Sequence, residues 1–244
     1  MKQHPSIHAG KEVFTASIFG KLDGSSLRFE WHKKLAWHKL GTRHQLLPET
    51  HSTFGIAIKM FLDTLAGPLE QIARQKAWTN YTVFCEFWRQ NSFAVFHEAA
   101  EPKRLSLIDV QVYKRGLIEP QEFLELFASL ETPQFLGVHR FYADFVQMIK
   151  LNQLEGVTFE GIIGKRGGAH RPLMQKAKTQ AWLDRVLTKF DAMRAAAILS
   201  SQSNQGSISS LMFEARDGGK GLEMKKAPEW TGGLFKFVWV SRDC

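Results

Sequence analysis

Apolar residues along the chain fall into short runs, and the spacing within the runs changes as the chain proceeds. Residues 13–19 are apolar and rich in β-branched and aromatic side chains, and 26–31 continue in that style, with Gly20 and Gly24 punctuating the pair. Both runs read as strands. From 54 to 75 the period lengthens: Phe54, Ile58, Phe61, Leu62, Leu65, Leu69 and Ile72 share one face of a helix. Gly67-Pro68 is expected to divide that helix, with Pro68 at a first helical position. Residues 81–87 and 105–113 read as strands. Pro120 opens a helix expected to run to Leu130 with Phe123, Leu124 and Phe127 inward. Further on, 133–141, 156–164 and 173–178 read as strands, and 143–151 and 180–199 as helices. Strands separated by isolated helices, without regular βαβ alternation, predict an α+β fold.

The pattern changes after residue 199. Residues 200–210 (SSQSNQGSISS) are polar, low in complexity and linker-like. Glycines then interrupt any regular element until 234–240, which read as one last strand. The expected organisation is one domain over 1–199, then a linker and short extension over 200–244, with no internal repeat. In the extension Lys220, Lys225, Lys226 and Lys236 are mixed with Phe213, Trp230, Phe235, Phe237 and Trp239. That mixture fits a nucleic-acid contact, and a further core strand fits it too.

Composition narrows the class. With 244 residues, 44% of them hydrophobic, the chain is long enough to build a core without disulfide staples. Its two cysteines, Cys85 and Cys244, are too few for a disulfide framework and fit a reducing cytoplasm. No apolar run approaches the ~18 residues of a membrane span. The N-terminus lacks the apolar stretch of a secretory signal. Thirty-two Lys and Arg against 24 Asp and Glu leave +8, which points toward a polyanionic partner.

Five short motifs carry candidate chemistry. In Phe19-Gly20-Lys21-Leu22-Asp23-Gly24-Ser25 a lysine leaves a strand and an acid and a glycine turn follow. Alone this reads as a surface hairpin turn. As chemistry it reads as a nucleophilic lysine, which needs burial, cations or a metal to lower its pKa from about 10.4. Arg43, 22 residues later in Lys-Leu-Gly-Thr-Arg, is suited to bidentate phosphate recognition or to an exposed basic loop. Glu86 sits inside the apolar run Val83-Phe84-Cys85-Glu86-Phe87-Trp88. A buried carboxylate there needs a sugar, a cation or a metal to serve, unless it faces solvent on an edge strand. Glu160 opens Glu-Gly-Ile-Ile-Gly-Lys, with Glu155-Gly156 as a competing copy. Glu160 is preferred because two apolar residues and a lysine follow it. Lys176 and Lys178, two apart on a strand, face the same way and converge on one site, or else form a solvated basic stripe.

In order and spacing the five resemble the motifs of the covalent nucleotidyltransferases, and most closely the bacterial and phage ATP-dependent RNA ligase family. The segments FGKLDGSSLRFEW, HKLGTR, CEFWRQNSFA, IDVQVYKRGLIEPQEFLELF, GVTFEGIIGKR and MQKAKTQAWLDRV carry the resemblance, over about residues 10–195. The resemblance implies a nucleotidyltransferase (ATP-grasp-like) fold, with antiparallel sheets flanked by helices and the nucleotide between them. It implies that Lys21 attacks the α-phosphate of ATP to form lysyl-AMP, and that Asp23 orients Lys21 or a metal-bound water. Lys21 and Gly24 belong to the nucleotide site. Arg43 contacts the ribose or the incoming strand's phosphate, Glu86 holds the ribose, and Lys176 and Lys178 hold the α-phosphate. Glu160 and Glu86 support Mg²⁺ or Mn²⁺. The family's adenine-stacking aromatic is replaced here by Ile108, and Ile162 is expected on the other face of the purine. The implied partners are RNA ends, a 5′-phosphate and a 3′-hydroxyl, with DNA ends as a second class. No membrane association is implied, and a monomer is expected. A DNA ligase or a capping-type nucleotidyltransferase shares the chemistry. A non-catalytic nucleic-acid-binding relic of the fold is the alternative of a different kind.

Overall fold

A computed structural model describes residues 4, 5, 7, 9, 12–42, 44–88, 101–169 and 172–202. The expectations for Arg43, for most of the CEFWRQNSFA segment and for everything beyond 202 lie outside the described residues.

Two antiparallel sheets form the frame. The strands are β1 (Phe14–Gly20), β2 (Gly24–His32), β3 (Ala36–Gly41), β4 (Asn80–Trp88), β5 (Arg104–Val112), β6 (Gly116–Leu117), β7 (Phe135–Phe141), β8 (Gly161–Arg166) and β9 (Leu173–Lys178). One sheet has four strands in the order β7-β1-β8-β9, and the other has five in the order β3-β2-β4-β5-β6. Every pairing is antiparallel.

Each sheet buries one face under helices, as strand alternation demands. Leu27, Phe29 and Trp31 of β2 join Val83 and Cys85 of β4 and Leu107 and Val110 of β5 in the larger core. That core is closed by α1 (Gly55–Met60), α2 (Ala66–Gln75) and α3 (Pro120–Phe127). Phe29 stacks on Phe61 at a centroid distance of 3.7 Å. The smaller core packs Phe14, Ala16 and Ile18 of β1 and Ile162 of β8 against Phe145 and Ile149 of α4 (Ala143–Lys150). A third cluster joins α5 (Gln180–Lys189) to α6 (Ala192–Gln202) through Trp182, Val186, Ala195 and Ile198.

Several expectations change. The helix over 54–75 does not divide at Gly67-Pro68. A π-helical turn, Phe61–Leu65, joins α1 to α2, and the Ala66 N–H reaches back to the Phe61 carbonyl. The widened turn lies just upstream of the proline, which lacks an N–H and crowds the preceding turn. The strand expected over 156–164 begins only at Gly161, because 156–160 form a turned segment. The helix over 180–199 breaks at Phe190-Asp191, where Asp191 Oδ1 accepts from the Arg194 N–H at 2.9 Å and starts a new helix. Strands β3 and β6 were not expected. β3 lies in the basic stretch ahead of Arg43, and a register shift opposite Glu30 and Trp31 turns both Trp37 and Leu40, three residues apart, onto the core, so no period of two marks the strand. No helix among the described residues is long and apolar enough to cross a membrane.

Candidate active site

The chain leaves β1 at Gly20, and the next residue is Lys21. Its backbone N–H bonds the Gly161 carbonyl at 2.9 Å, fixing the start of the Lys21–Asp23 crossover against β8. The Thr158 hydroxyl donates to the Lys21 carbonyl. Gly161 has φ +132°, and a Cβ there would lie 2.0 Å from the Ala177 carbonyl oxygen. Only glycine lets β8 and β9 close directly behind Glu160.

Glu160 is buried and holds two lysines. Its Oε2 accepts from Lys21 Nζ at 2.8 Å, and its Oε1 accepts from Lys178 Nζ. Lys178 also lies over the Trp182 ring, 3.6 Å from the centroid, a cation–π contact. Trp182 is placed there by Thr179, whose hydroxyl accepts from the Trp182 N–H at 3.1 Å and caps α5. Glu155, the competing acid, is exposed, whereas Glu160 is the acid that lies against Lys21 and Lys178.

The cluster's protonation follows from burial and from neighbours. Burial alone would lower the Lys21 pKa, but Glu160, Glu86 and Asp23 together raise it above the usual lysine value. Burial pulls Lys178 down to about 7 and Lys176 down to about 8, with the Lys21 charge adding to both effects. Burial works to raise the Glu160 carboxyl, and Lys21 and Lys178 overcome it and hold it below the usual range. Glu86 is pushed up to about 8 by burial, and the carboxylates of Glu160 and Asp23 push the same way. β4 is the middle strand of its sheet, so Glu86 is not an edge-strand residue facing solvent. It accepts a backbone hydrogen bond from Gly24. A Cβ on Gly24 would lie 2.4 Å from the Phe87 carbonyl oxygen.

The structure therefore brings together Lys21, Asp23, Gly24, Glu86, Glu160, Lys176 and Lys178 from four separate places in the chain. It does not bring Ile162 to them. Ile162 pairs with Ala177 and is fully buried in the smaller core. The next residue, Ile163, pairs with Lys176 and faces the same side as that lysine. Strand alternation thus gives the cleft face to Ile163. Ile108 is half-buried at a bulge in β5, with its carbonyl held by Lys165 Nζ at 2.8 Å.

A second charged cluster joins the two sheets. Lys165 of β8 bonds both Asp109 oxygens at 2.9 Å, and His4 Nε2 approaches Asp109 Oδ2 at 2.6 Å. Lys165 also lies 5.1 Å from the Phe19 ring centroid. A carboxylate inside an apolar strand, the signal that singled out Glu86, is present at Asp109 as well. Among the described residues no three His, Cys, Asp or Glu side chains are grouped so as to cage a metal ion directly.

Comparison with solved structures places this fold beside RNA ligase structures. An apo mutant and the PPi-bound form of Naegleria gruberi RNA ligase match with TM-scores of 0.55 at 15% and 16% identity, covering 76% of this chain. A variant of that protein with ATP and Mn matches with a TM-score of 0.51 at 16% identity over 70% of this chain. The chain spans 58% of the length of the first two and 51% of the third. No protein-family model and no curated protein sequence matches the chain. At such identities the likeness is one of fold: two antiparallel sheets with few helices.

Proposed function

We propose that this chain is an ATP-dependent RNA ligase built on the covalent nucleotidyltransferase fold, with Lys21 as the nucleophile. The observation that carries the reading is Glu160 shared between Lys21 and Lys178 at the end of β1, with Lys176 beside them. A structural ion pair needs one lysine per carboxylate. Three amines, Lys21, Lys176 and Lys178, gather around the buried Glu160, and cations so placed suit a polyphosphate. The RNA ligase fold of the neighbours and the basic charge of the chain support the same reading.

The reaction needs a neutral amine at Lys21. In the free protein Glu160 holds Lys21 as an ammonium while Lys178 has a pKa of about 7. Glu160 holds the proton on Lys21, so the Lys21–Glu160 contact must open and the ammonium must lose its proton before the attack. Lys21 Nζ then attacks the α-phosphorus of ATP, the bond to the β-phosphate oxygen breaks, and pyrophosphate leaves. Protonated Lys178 and Lys176 face the charge that develops on the phosphoryl oxygens. AMP passes from Lys21 to a 5′-phosphate, and a 3′-hydroxyl displaces it to join the strands.

A divalent cation fits the carboxylates gathered here, with Glu86, whose pKa is raised chiefly by burial, and Glu160 placed to hold it through its waters and the nucleotide. When bound, Mg²⁺ or Mn²⁺ would neutralise phosphate charge. DNA ends are the second substrate class, and preference between them and RNA rests on the strand-binding surface and not on this cluster.

Incubation with α-labelled ATP followed by denaturing electrophoresis tests the proposal: covalent label is expected. No label with ATP, GTP or NAD would leave a nucleic-acid-binding relic as the reading. Within that assay Glu160→Ala is expected to cut labelling by at least about 10²-fold, and exposed Glu155→Ala to stay within about twofold of wild type. The reverse order would mean the wrong acid has been assigned.

The two adjacent isoleucines separate cleft from core. Ile163→Ala is expected to weaken ATP binding several-fold with little loss of stability. Ile162→Ala removes a buried side chain and is expected to cost about 1–4 kcal/mol of stability with ATP affinity unchanged in the folded fraction. Calorimetric titration and urea unfolding read the two effects separately.

A further inference from the structure

We propose that the end of the five-stranded sheet remote from Lys21 is a second anchor for nucleic acid, gripping the phosphate backbone about eight nucleotides from the joined end. The proposal rests on the ligase reading for the identity of the near site. β2 begins beside the site at Gly24 and ends at His32, so at ~3.3 Å per residue it carries the sheet roughly 27 Å away. A stacked strand advances ~3.4 Å per nucleotide, which sets the eight-nucleotide reach.

Three turns meet at that far end. The Lys33 N–H bonds the Thr79 carbonyl at 2.9 Å, and the Tyr113 N–H bonds the Asn80 carbonyl at 3.0 Å. The turn after β2 therefore lies beside the turn ahead of β4, and that one beside the turn after β5. They present Lys33, Lys34, Lys76 and Lys114, all exposed. No ion pair joins these four lysines to a carboxylate among the described residues, whereas Arg115 next door is paired with Glu122 at 2.7 Å. Tyr113 is 49% exposed among them, with Lys114 Nζ 5.5 Å from its ring centroid. Like charges on adjacent turns repel, and none of these lysines contributes to a core. A polyanion relieves the repulsion, and an exposed aromatic beside the cations offers a stacking face for a base. Lys39, 45% exposed on β3, lies on the edge that runs back toward the site.

The test uses the full chain carrying Lys33→Glu, Lys34→Glu and Lys114→Glu together, with 5- and 20-nucleotide labelled RNAs. Wild type is expected to bind the longer RNA at least tenfold more tightly. The triple variant should lose that advantage while binding the 5-mer as wild type does. Its slope of log affinity against log salt should fall by about 2, at ~0.7 per phosphate released. Covalent AMP uptake should be unchanged. Unaltered 20-mer affinity, or equal weakening on both lengths, overturns the anchor. So does loss of binding to phosphatidylserine vesicles with RNA binding intact, which would make the patch a membrane contact. A wild-type chain that takes up no AMP defeats the ligase reading, and the length-dependent RNA binding still decides the anchor.

Discussion

Lys21→Ala and Lys21→Arg are both expected to abolish the protein–AMP adduct, a loss on the order of 10³-fold or more. The two substitutions fail for different reasons. Alanine removes the nitrogen. Arginine keeps a cation against Glu160 but does not give up its proton in proteins, so it supplies no neutral amine. Neither should unfold the chain, because Glu160 keeps Lys178 as a partner and Lys21 is only partly buried. Both variants are expected to retain joining of a pre-adenylylated strand, since that step consumes no lysyl-AMP. Intact-mass measurement after incubation with ATP reads the adduct directly. A mass increase of one adenylate in either variant would transfer the nucleophile's role to another residue, with Lys178 the nearest amine on the same carboxylate.

Much of this site was legible before the fold was known, and the reason is period. Lys176 and Lys178 are two apart, so a strand at 173–178 settles their common face. Glu86 and Glu160 announced themselves as acids in apolar runs. The misassigned residue failed on the same rule. The strand expected over 156–164 begins at Gly161, and alternation from there sends Ile162 into the core and Ile163 toward Lys176. Turn structure ahead of the strand left its phase open in the sequence. The partnership of Lys165, Asp109 and His4 was hidden for another reason. Its members lie up to 161 residues apart, from His4 to Lys165, and their meeting depends on how the two sheets face each other, which no local pattern encodes. The break in the last helix needed Asp191 to be weighed as a cap against an otherwise continuous apolar face.

That cluster carries the second large expectation. Asp109→Asn keeps the shape of the side chain and removes its charge. Lys165, 8% exposed, would then hold its ammonium against an amide, with no other carboxylate paired to it among the described residues. Breaking a buried pair from one side costs about 3–5 kcal/mol, against a total stability of about 5–15 kcal/mol for a domain. Burial alone would raise the Asp109 carboxyl, but the Lys165 ammonium, with His4 beside it, holds it below the usual carboxylate value. The sign follows: the unfolded chain, with a carboxyl near pKa 3.9, takes up the proton first as pH falls. The contribution of Asp109 is therefore fully present above about pH 5 and fades as the pH drops through 4 toward its lower folded pKa. Urea unfolding of wild type and Asp109→Asn should differ most at pH 7 and draw together as the pH falls below about 4. Adding Lys165→Met to Asp109→Asn removes the stranded cation and should recover a large part of the loss. A single variant within 1 kcal/mol of wild type at pH 7, or a difference that does not shrink on acidification, would show that the pair joining the two sheets adds nothing to their stability. If the pair does hold them, Asp109→Asn should also lower AMP uptake, because the same ammonium group holds the carbonyl of Ile108, the residue expected to pack on adenine.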